Sequence, residues 1–367
     1  MRIAEFGHKH AFTAEGGIEV VVTELVKRFA PEHQVTVFNR WELDKDKCKY
    51  PKLENVRMVN IPTLSNSKVN AQLSSAVESV QCLFDNYDVI HIHAEGPCVF
   101  IPLLKLAGKK VVVTIHGLDW QRAKWGKFAS SYIKLGEEMA GKFADRIIVL
   151  NDETAYYFRD CYGRHTTLVP NGVTVHPTNN TDLIEPMGLS RGNYILYIGR
   201  IVPEKRLDLL VKAYIQSQTD KKLVIAGRVD EKTKNEPWYR EACKNKNIIF
   251  TGFADGDLKA QLLSNTALFV LPSDIEGMSI ALLEALGYGV RVLTSDIKEN
   301  KVLLSDFGST FQAGNENDLS QKLQELSALP FLRSKEQYDY IRENYGWDKS
   351  AERTLEVLKE TVVNGYN

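Results

Sequence analysis

The stretch "TALFVLPSDIEGMSIALLEALGYGVRVLTSD", residues 266–296, contains a full strand–helix–strand step. "TALFVLPS" is a continuous apolar run, which reads as a strand buried on both faces. "GYGVRVLTSD" is a glycine-marked turn followed by a second strand. The apolar segment between them is helical. Two glutamates bracket it: Glu276 in the loop after the first strand, and Glu284 eight positions on, inside the helix. Eight residues of helix span ~12 Å. That is too far for both carboxylates to act on one proton, and it suits two ends of one elongated ligand. Glu284 sits in an otherwise apolar helix, where an unpartnered carboxylate is costly, so a polar ligand accounts for it best.

The same alternation runs along the whole chain. Strand-like runs in the first half are "RIAEF", "QVTVFNR", "DVIHIH", "KVVVTIH", "RIIVLN" and "TTLVP"; in the second half they are "YILYIG", "KLVIAG", "NIIFTG", "LFVLPS" and "RVLTS". Helical stretches such as "GIEVVVTELVKRFA" and "RLDLLVKAYIQS" separate most of them. Continuous β-branched runs between helices mean parallel strands covered on both faces. The pattern occurs twice, with a polar, proline-bearing break at residues 176–193. The expected fold is therefore α/β, with two doubly wound domains over residues 1–180 and 190–346. "WDKSAERTLEVLKETVV" reads as an amphipathic final helix within 347–367, expected to pack back on the first domain.

Composition narrows the function classes. The 367 residues carry 25% charged and 44% hydrophobic side chains and a net charge of −1, so no global basic character points to nucleic acid. Five scattered cysteines, Cys48, Cys82, Cys98, Cys161 and Cys243, form no C-x-x-C pair, which fits a reducing compartment better than a disulfide framework or a zinc site. "MRIAEFGHKH" has no apolar signal-peptide core, and no apolar run reaches membrane-spanning length. The expected location is cytoplasmic, with peripheral contact at the inner membrane face an added option.

Open α/β sheets bind ligands beyond the carboxyl ends of their strands, so functional residues should follow strands. Gly16 and Gly17 follow the first strand and precede a helix, either as an anion approach to a helix N-terminus or as a plain turn. No G-x-G-x-x-G or G-K-[ST] occurs where nicotinamide or P-loop chemistry would need it. His116 stands directly after "VVVTI". His91 and His93 share one strand face and read as structural, since no carboxylate or cysteine stands at metal spacing. Arg200 follows "YIG", and Lys205 lies at the start of the next helix. Two cations beside a helix N-terminus form an anion cradle, the arginine able to grip phosphate bidentately. Gly227, closing "KLVIAG", and Met278 join the expected donor-binding set. Ser279 and the N–H groups at the start of its helix suit a phosphate, and a carboxylate such as Glu276 or Glu284 accepts from paired sugar hydroxyls. "DGD" at 255–257 imitates a metal motif, but Asp257 reads as a helix N-cap. No metal and no cofactor are expected.

Gly-Gly before the first helix, "HGLDW", "VPNGV", "GRIVPEKR" and the paired glutamates of "EGMSIALLE" together resemble the GT-B-fold retaining glycosyltransferases, and among them sequence family four, which builds bacterial polysaccharides and glycolipids. The resemblance covers nearly the whole chain in order. It implies two Rossmann-like domains facing a central cleft, the first on the acceptor side and the second binding nucleotide-sugar. It implies transfer with retention, usually without metal, from a nucleotide-diphosphate sugar to a saccharide or lipid-linked acceptor. By the same resemblance Glu276 contacts donor-sugar hydroxyls and Glu284 the nucleotide ribose. Arg200 and Lys205 match the basic pair on the diphosphate, Gly17 the glycine approaching it, and His116 the histidine beside the transferring sugar. The chain departs from the family pattern at Met278-Ser279, where many relatives carry Phe-Gly. A UDP-sugar is the default donor. A nucleotide-sugar epimerase of the same build and a non-catalytic sugar-binding protein are the competing readings.

Residues 120–134, "WQRAKWGKFASSYIK", hold four cations and no acid. Trp120, Arg122, Lys124, Trp125 and Lys127 are expected either to meet an acceptor or an anionic membrane surface, or to form a solvated helix with an aromatic core face.

Overall fold

The computed structural model describes residues 1–13, 16–42, 50–63, 70–121 and 126–364. The chain divides into two compact units: Met1–Gly172 with Trp347–Asn367, and Val173–Gly346. The first carries a seven-stranded sheet built from β1 (Arg2–Phe6), β2 (Gln34–Glu42), β3 (Val56–Thr63), β4 (Val89–His93), β5 (Val111–Ile115), β6 (Arg146–Val149) and β7 (Thr167–Leu168), in the order β3-β2-β1-β4-β5-β6-β7. The second carries β8 (Tyr194–Ile198), β9 (Lys222–Ala226), β10 (Ile248–Gly252), β11 (Leu268–Leu271), β12 (Val292–Ser295) and β13 (Ser309–Phe311), ordered β10-β9-β8-β11-β12-β13. Every pairing is parallel.

Both sheets thus wind the same way: third, second, first, fourth, fifth, sixth strand. The order reverses between β1 and β4 in one unit and between β8 and β11 in the other. At such a switch point the loops diverge to opposite faces and leave a crevice at the strands' carboxyl ends. Each unit has its own core. The central strands β4, β5, β8, β11 and β12 are buried at every residue, because helices cover both faces, and this is why they read as unbroken apolar runs.

Two strands escape the sequence reading, β3 and β13, and both are sheet edges. An edge strand has one neighbour and one partly wet face; only two of the eight residues of β3 are fully buried, so its composition carries no continuous run. The unit boundary also lies earlier than the polar break implied. Residues 176–193 belong to the second unit, with Ile184 and Leu189 in its core. The Leu183 N–H donates to Gln261 and the Thr178 N–H to Ser264, which ties the segment down. The final helix, Trp347–Asn364, packs against the helix Gly17–Phe29 of the first unit. There Arg28 meets Asp348 at 2.6 Å, and the Ser350 hydroxyl donates to the Pro170 carbonyl at 2.7 Å. Among the described residues, no helix is long and apolar enough to cross a membrane.

Candidate active site

In the second unit the expected residues gather at the β8/β11 switch point. The Tyr197 hydroxyl donates to the Arg200 carbonyl at 2.7 Å and sets the backbone where β8 ends; the Arg200 side chain is exposed. A short 3-10 turn, Pro203–Lys205, leads through Arg206, held at φ 50°, into the helix Leu207–Ser217. The loop after β11 is laced to this turn. The Asp274 N–H donates to the Glu204 carbonyl at 2.9 Å, and the Arg206 guanidinium bridges Asp208 at 3.2 Å and Asp274 at 3.1 Å. Between the two loops the Lys205 ammonium pairs directly with the Glu276 carboxylate. Their side chains are only 13% and 9% exposed, so this is a largely desolvated pair, strong in field and costly to break by removing one partner.

Ser279 is the N-cap of the helix Ile280–Gly287, its oxygen accepting the Leu282 N–H at 3.3 Å. A hydroxyl that accepts keeps its own proton to donate. Met278 packs against the unit's core. Gly227 has a packing reason: a Cβ there would stand 2.2 Å from the Gly199 carbonyl oxygen, so only glycine lets the loops after β8 and β9 touch. Glu284, one to two turns into the helix and 12% exposed, pairs at 2.6 Å with Lys259, which projects from the helix Gly256–Asn265. Nothing in the sequence marks Lys259, since its partner is on a different helix. The cap of its own helix is Asp255; Asp257, the expected cap, lies two residues later, in the first turn.

In the first unit, Gly16 is the extended N-cap and Gly17 the first residue of the helix Gly17–Phe29. That N-terminus already carries a carboxylate: Glu19, 8% exposed, accepts the Lys9 N–H at 3.1 Å. The β1/β4/β5 register assembles a polar network that sequence reading reached only in part. Glu5 pairs in register with His91, and His93 with Thr114; positions two apart on a strand share a face. Glu5 lies 3.0 Å from His91 Nδ1 and 2.7 Å from His93 Nε2, and His91 Nε2 lies 2.7 Å from the Thr114 hydroxyl. His93 Nδ1 is 3.1 Å from Nε2 of His116, which stands just past β5. Glu5, His91 and His93 are wholly buried, and His116 is half-buried. Gly7 closes the crevice: at φ 101°, a Cβ there would sit 2.2 Å from the His93 carbonyl.

Burial pushes the Glu5 carboxyl up, but the imidazoles of His91 and His93 outweigh it and hold the group at about 2. Burial, then His91, press His93 down to about 4 against the pull of Glu5. Burial, then His93, press His8 down to about 3, against its hydrogen bond to Asn39. Among the described residues, Glu5, His91 and His93 form the one cluster of three metal-capable groups. Their contacts of 2.7 and 3.0 Å are hydrogen-bond distances, whereas nitrogen or oxygen ligands around a four-coordinate zinc stand about 3.4 Å apart for bonds near 2.1 Å.

This network is expected to make the fold acid-labile. His8 and His93 stay neutral when folded, so the unfolded chain takes up their protons first. The stability they supply is complete above pH 6.5 and is lost as pH falls, through about 4 for His93 and about 3 for His8. Glu5 adds a loss below 4.5, toward about 2. The melting temperature is expected to fall between pH 7 and 4, with a loss on the order of a few kcal/mol. A flat melting temperature across that range in a calorimetric pH series would contradict the assignment.

Part of the acceptor candidate is engaged inside the first unit. Trp120 Nε1–H donates to Glu137 at 2.7 Å, and the Lys134 ammonium lies 4.6 Å from the centre of the Trp120 ring. Lys134, Tyr157 and Tyr162 all bond the same carboxylate, at 2.6, 2.8 and 2.6 Å. Lys127 opens the helix Lys127–Phe143 and is exposed. Arg122, Lys124 and Trp125 lie outside the described residues.

Comparison with known proteins agrees with the fold in both halves. The model of Glycosyltransferase Family 4 matches residues 15–176, and that of the Glycosyl transferases group 1 matches residues 180–345. Among curated relatives, a UDP-Gal:alpha-D-GlcNAc-diphosphoundecaprenol alpha-1,3-galactosyltransferase of Escherichia coli is 28% identical over 69% of this chain and 70% of its own length. A phosphatidyl-myo-inositol mannosyltransferase of Mycobacterium leprae is 25% identical over 97% and 96%. Among solved structures, a sucrose-phosphate synthase from Thermosynechococcus elongatus superposes with a TM-score of 0.80 at 18% identity, over 99% of both chains. With two 3-2-1-4-5-6 sheets, a cation–carboxylate pair at the second switch point and matching family models over each unit, the chain belongs to the family-four-like GT-B glycosyltransferases.

Proposed function

We propose that this glycosyltransferase moves a hexose-type sugar from a nucleotide-diphosphate donor, a UDP-sugar by preference, to a saccharide or lipid-linked saccharide in polysaccharide or glycolipid synthesis, with retention and without a metal. The observation that carries the reading is the buried Lys205–Glu276 pair between the loops after β8 and β11, with Arg200 at the end of β8. A group that leaves as a diphosphate develops negative charge, and fixed cations lower that barrier. Lys205 and Arg200 supply them, and the N-terminus of the Ser279-capped helix adds its N–H dipoles. Glu276 accepts from hydroxyls of the donor sugar and Glu284 from those of the ribose. Gly16 and Gly17 let backbone N–H groups reach the donor phosphates. His116 is the hydrogen-bonding partner of the sugar being transferred. Attack from the face that the diphosphate leaves, with a leaving oxygen taking the acceptor proton, gives retention without an enzymic carboxylate pair. The E. coli relative's name specifies a UDP-sugar and a lipid diphosphate acceptor, which supports both preferences.

The test is turnover of a panel of nucleotide-sugars with and without acceptor, followed by proton NMR of the anomeric centre. An α-linked donor should give an α-linked product, and the rate should persist in excess EDTA. An inverted product, or loss of activity to EDTA reversed by Mg²⁺, would overturn the mechanism. Epimerised donor with no acceptor requirement would favour the epimerase reading instead.

Residues 120–134 are proposed to serve the acceptor side through Arg122, Lys124 and Lys127, with Trp120 and Trp125 as aromatic neighbours. Changing the three cations to serine should raise acceptor KM, because each cation near an anionic surface contributes about 1 kcal/mol. Donor hydrolysis should be unaffected; an unchanged acceptor KM would return the segment to a solvated surface.

A further inference from the structure

His116 is the residue of the first unit assigned to the donor sugar, and it does not stand alone. We propose that Glu5 and His93 are positioning residues that fix the ring orientation and proton arrangement of His116. This deepens the proposed function and rests on the role given there to His116.

The argument is one of hydrogen-bond accounting. Glu5 is ionised and wholly buried, so it accepts hydrogen bonds and donates none. Its oxygen lies 2.7 Å from His93 Nε2, so that nitrogen carries the proton. A neutral imidazole has one N–H, which leaves His93 Nδ1 an acceptor. The atom 3.1 Å from it is His116 Nε2, which must donate. The carboxylate therefore sets the His116 tautomer through one intervening ring: proton on Nε2, lone pair on Nδ1. The reverse direction would need either a second proton on His93 or a protonated Glu5. Both groups resist this, His93 being held near 4 and Glu5 near 2.

The same chain fixes geometry. The His93 and His116 ring centres lie 5.4 Å apart with their planes 27° from parallel, so the rings meet edge to edge along the hydrogen bond. Glu5 is anchored from the other side by His91, itself held by Thr114. All five residues come from β1, β4 and β5 or the step just beyond, so a rigid sheet, rather than a loop, sets the ring. A carboxylate buried in the middle of a parallel sheet is expensive, and here each partner it meets leads to the first sheet's switch point. Among the described residues, the acidic and basic groups around His93 include Glu5, His91, His116 and His8.

The test is Glu5→Gln, which keeps size and replaces one acceptor oxygen with an NH2 donor. The amide can donate to His93 Nε2, which moves the His93 proton to Nδ1 and, in turn, the His116 proton to Nδ1. Nitrogen-15 spectra of protein labelled only at its eight histidines report both tautomers. The wild type should show His116 protonated on Nε2, a readout that needs no variant. Glu5→Gln should shift it to Nδ1, lower kcat for transfer at least about tenfold, and leave calorimetric affinity for UDP unchanged. Glu5→Asp, which restores the anion, should recover part of the rate. In a His116→Ala background Glu5→Gln should cost nothing further. Wild-type His116 protonated on Nδ1, or a Glu5→Gln rate equal to wild type while His116→Ala is impaired, would overturn the positioning role and leave the reading of His116 intact. A His116→Ala enzyme with full activity would overturn that reading itself.

Discussion

Lys205→Ala should lower kcat/KM for donor turnover by on the order of 10²–10³-fold, about 3–4 kcal/mol of transition-state stabilisation. Two losses combine in this variant. The departing diphosphate loses a cation held at 13% exposure, and Glu276, at 9% exposure, is left as a carboxylate without its partner. Arg200→Ala removes only the first kind of contact, since its side chain is exposed and, among the described residues, no carboxylate pairs with it. Its effect should therefore be the smaller of the two, though still in kcat/KM. Lys205→Arg should not rescue fully, because a guanidinium is a planar fork where the site holds a compact ammonium. Wild-type rates in both alanine variants would remove the phosphate assignment from the β8/β11 crevice. The folded state is checked by melting temperature, because removing one member of a buried pair also costs stability.

Glu284→Gln and Glu276→Gln should separate binding from turnover. Glu284 is held against Lys259 at 2.6 Å, on a different element from the Lys205–Glu276 pair. If it receives the ribose hydroxyls, neutralising it removes charge-assisted hydrogen bonds worth about 1.5–3 kcal/mol, roughly a 10- to 150-fold rise in Kd for the bare nucleotide diphosphate. Glu276→Gln should spare that affinity and cut turnover of the intact donor. Titration calorimetry of UDP against both variants decides the matter; equal losses would refute the division of labour. Lys259 provides an internal control. It holds the Glu284 carboxylate in place at 2.6 Å, so Lys259→Met should weaken nucleotide binding in the same direction as Glu284→Gln and leave Glu276-dependent turnover at saturating donor unchanged.

Much of this was legible along the chain because its causes are local. A strand buried on both faces must be apolar throughout, so "VVVTI" and "LFVLPS" announce a parallel sheet wherever they stand. A doubly wound sheet places its ligands beyond strand ends, so His116, Arg200 and Glu276 could be picked out by position alone. The cap role of Ser279 follows from residue type at the first turn of a helix. The acid at Glu5 was also visible, in the middle of "RIAEF", and a carboxylate in a buried strand demands a partner. The sequence does not name its partners, His91 and His93, because they are 86 and 88 positions away.

What the tertiary structure alone decided shares that non-local character. Lys205 and Glu276 are 71 residues apart, and Lys259 and Glu284 are 25 apart on different helices. In neither pair do the partners share a helix or strand, so no periodicity joins them. Strand register, which fixes the Glu5–His93–His116 line, depends on how β1, β4 and β5 slide into place, and a one-residue slip would turn each of these side chains to the other face. The edge strands β3 and β13 and the boundary at residues 172–173 were hidden for the opposite reason: half-exposed or polar segments acquire structure only from the neighbours they meet. The sequence by itself determined which residues face a core and which follow a strand, since burial and backbone geometry act on each segment separately. Which charges meet was left to the packed sheets, because only folding brings their loops within hydrogen-bond reach.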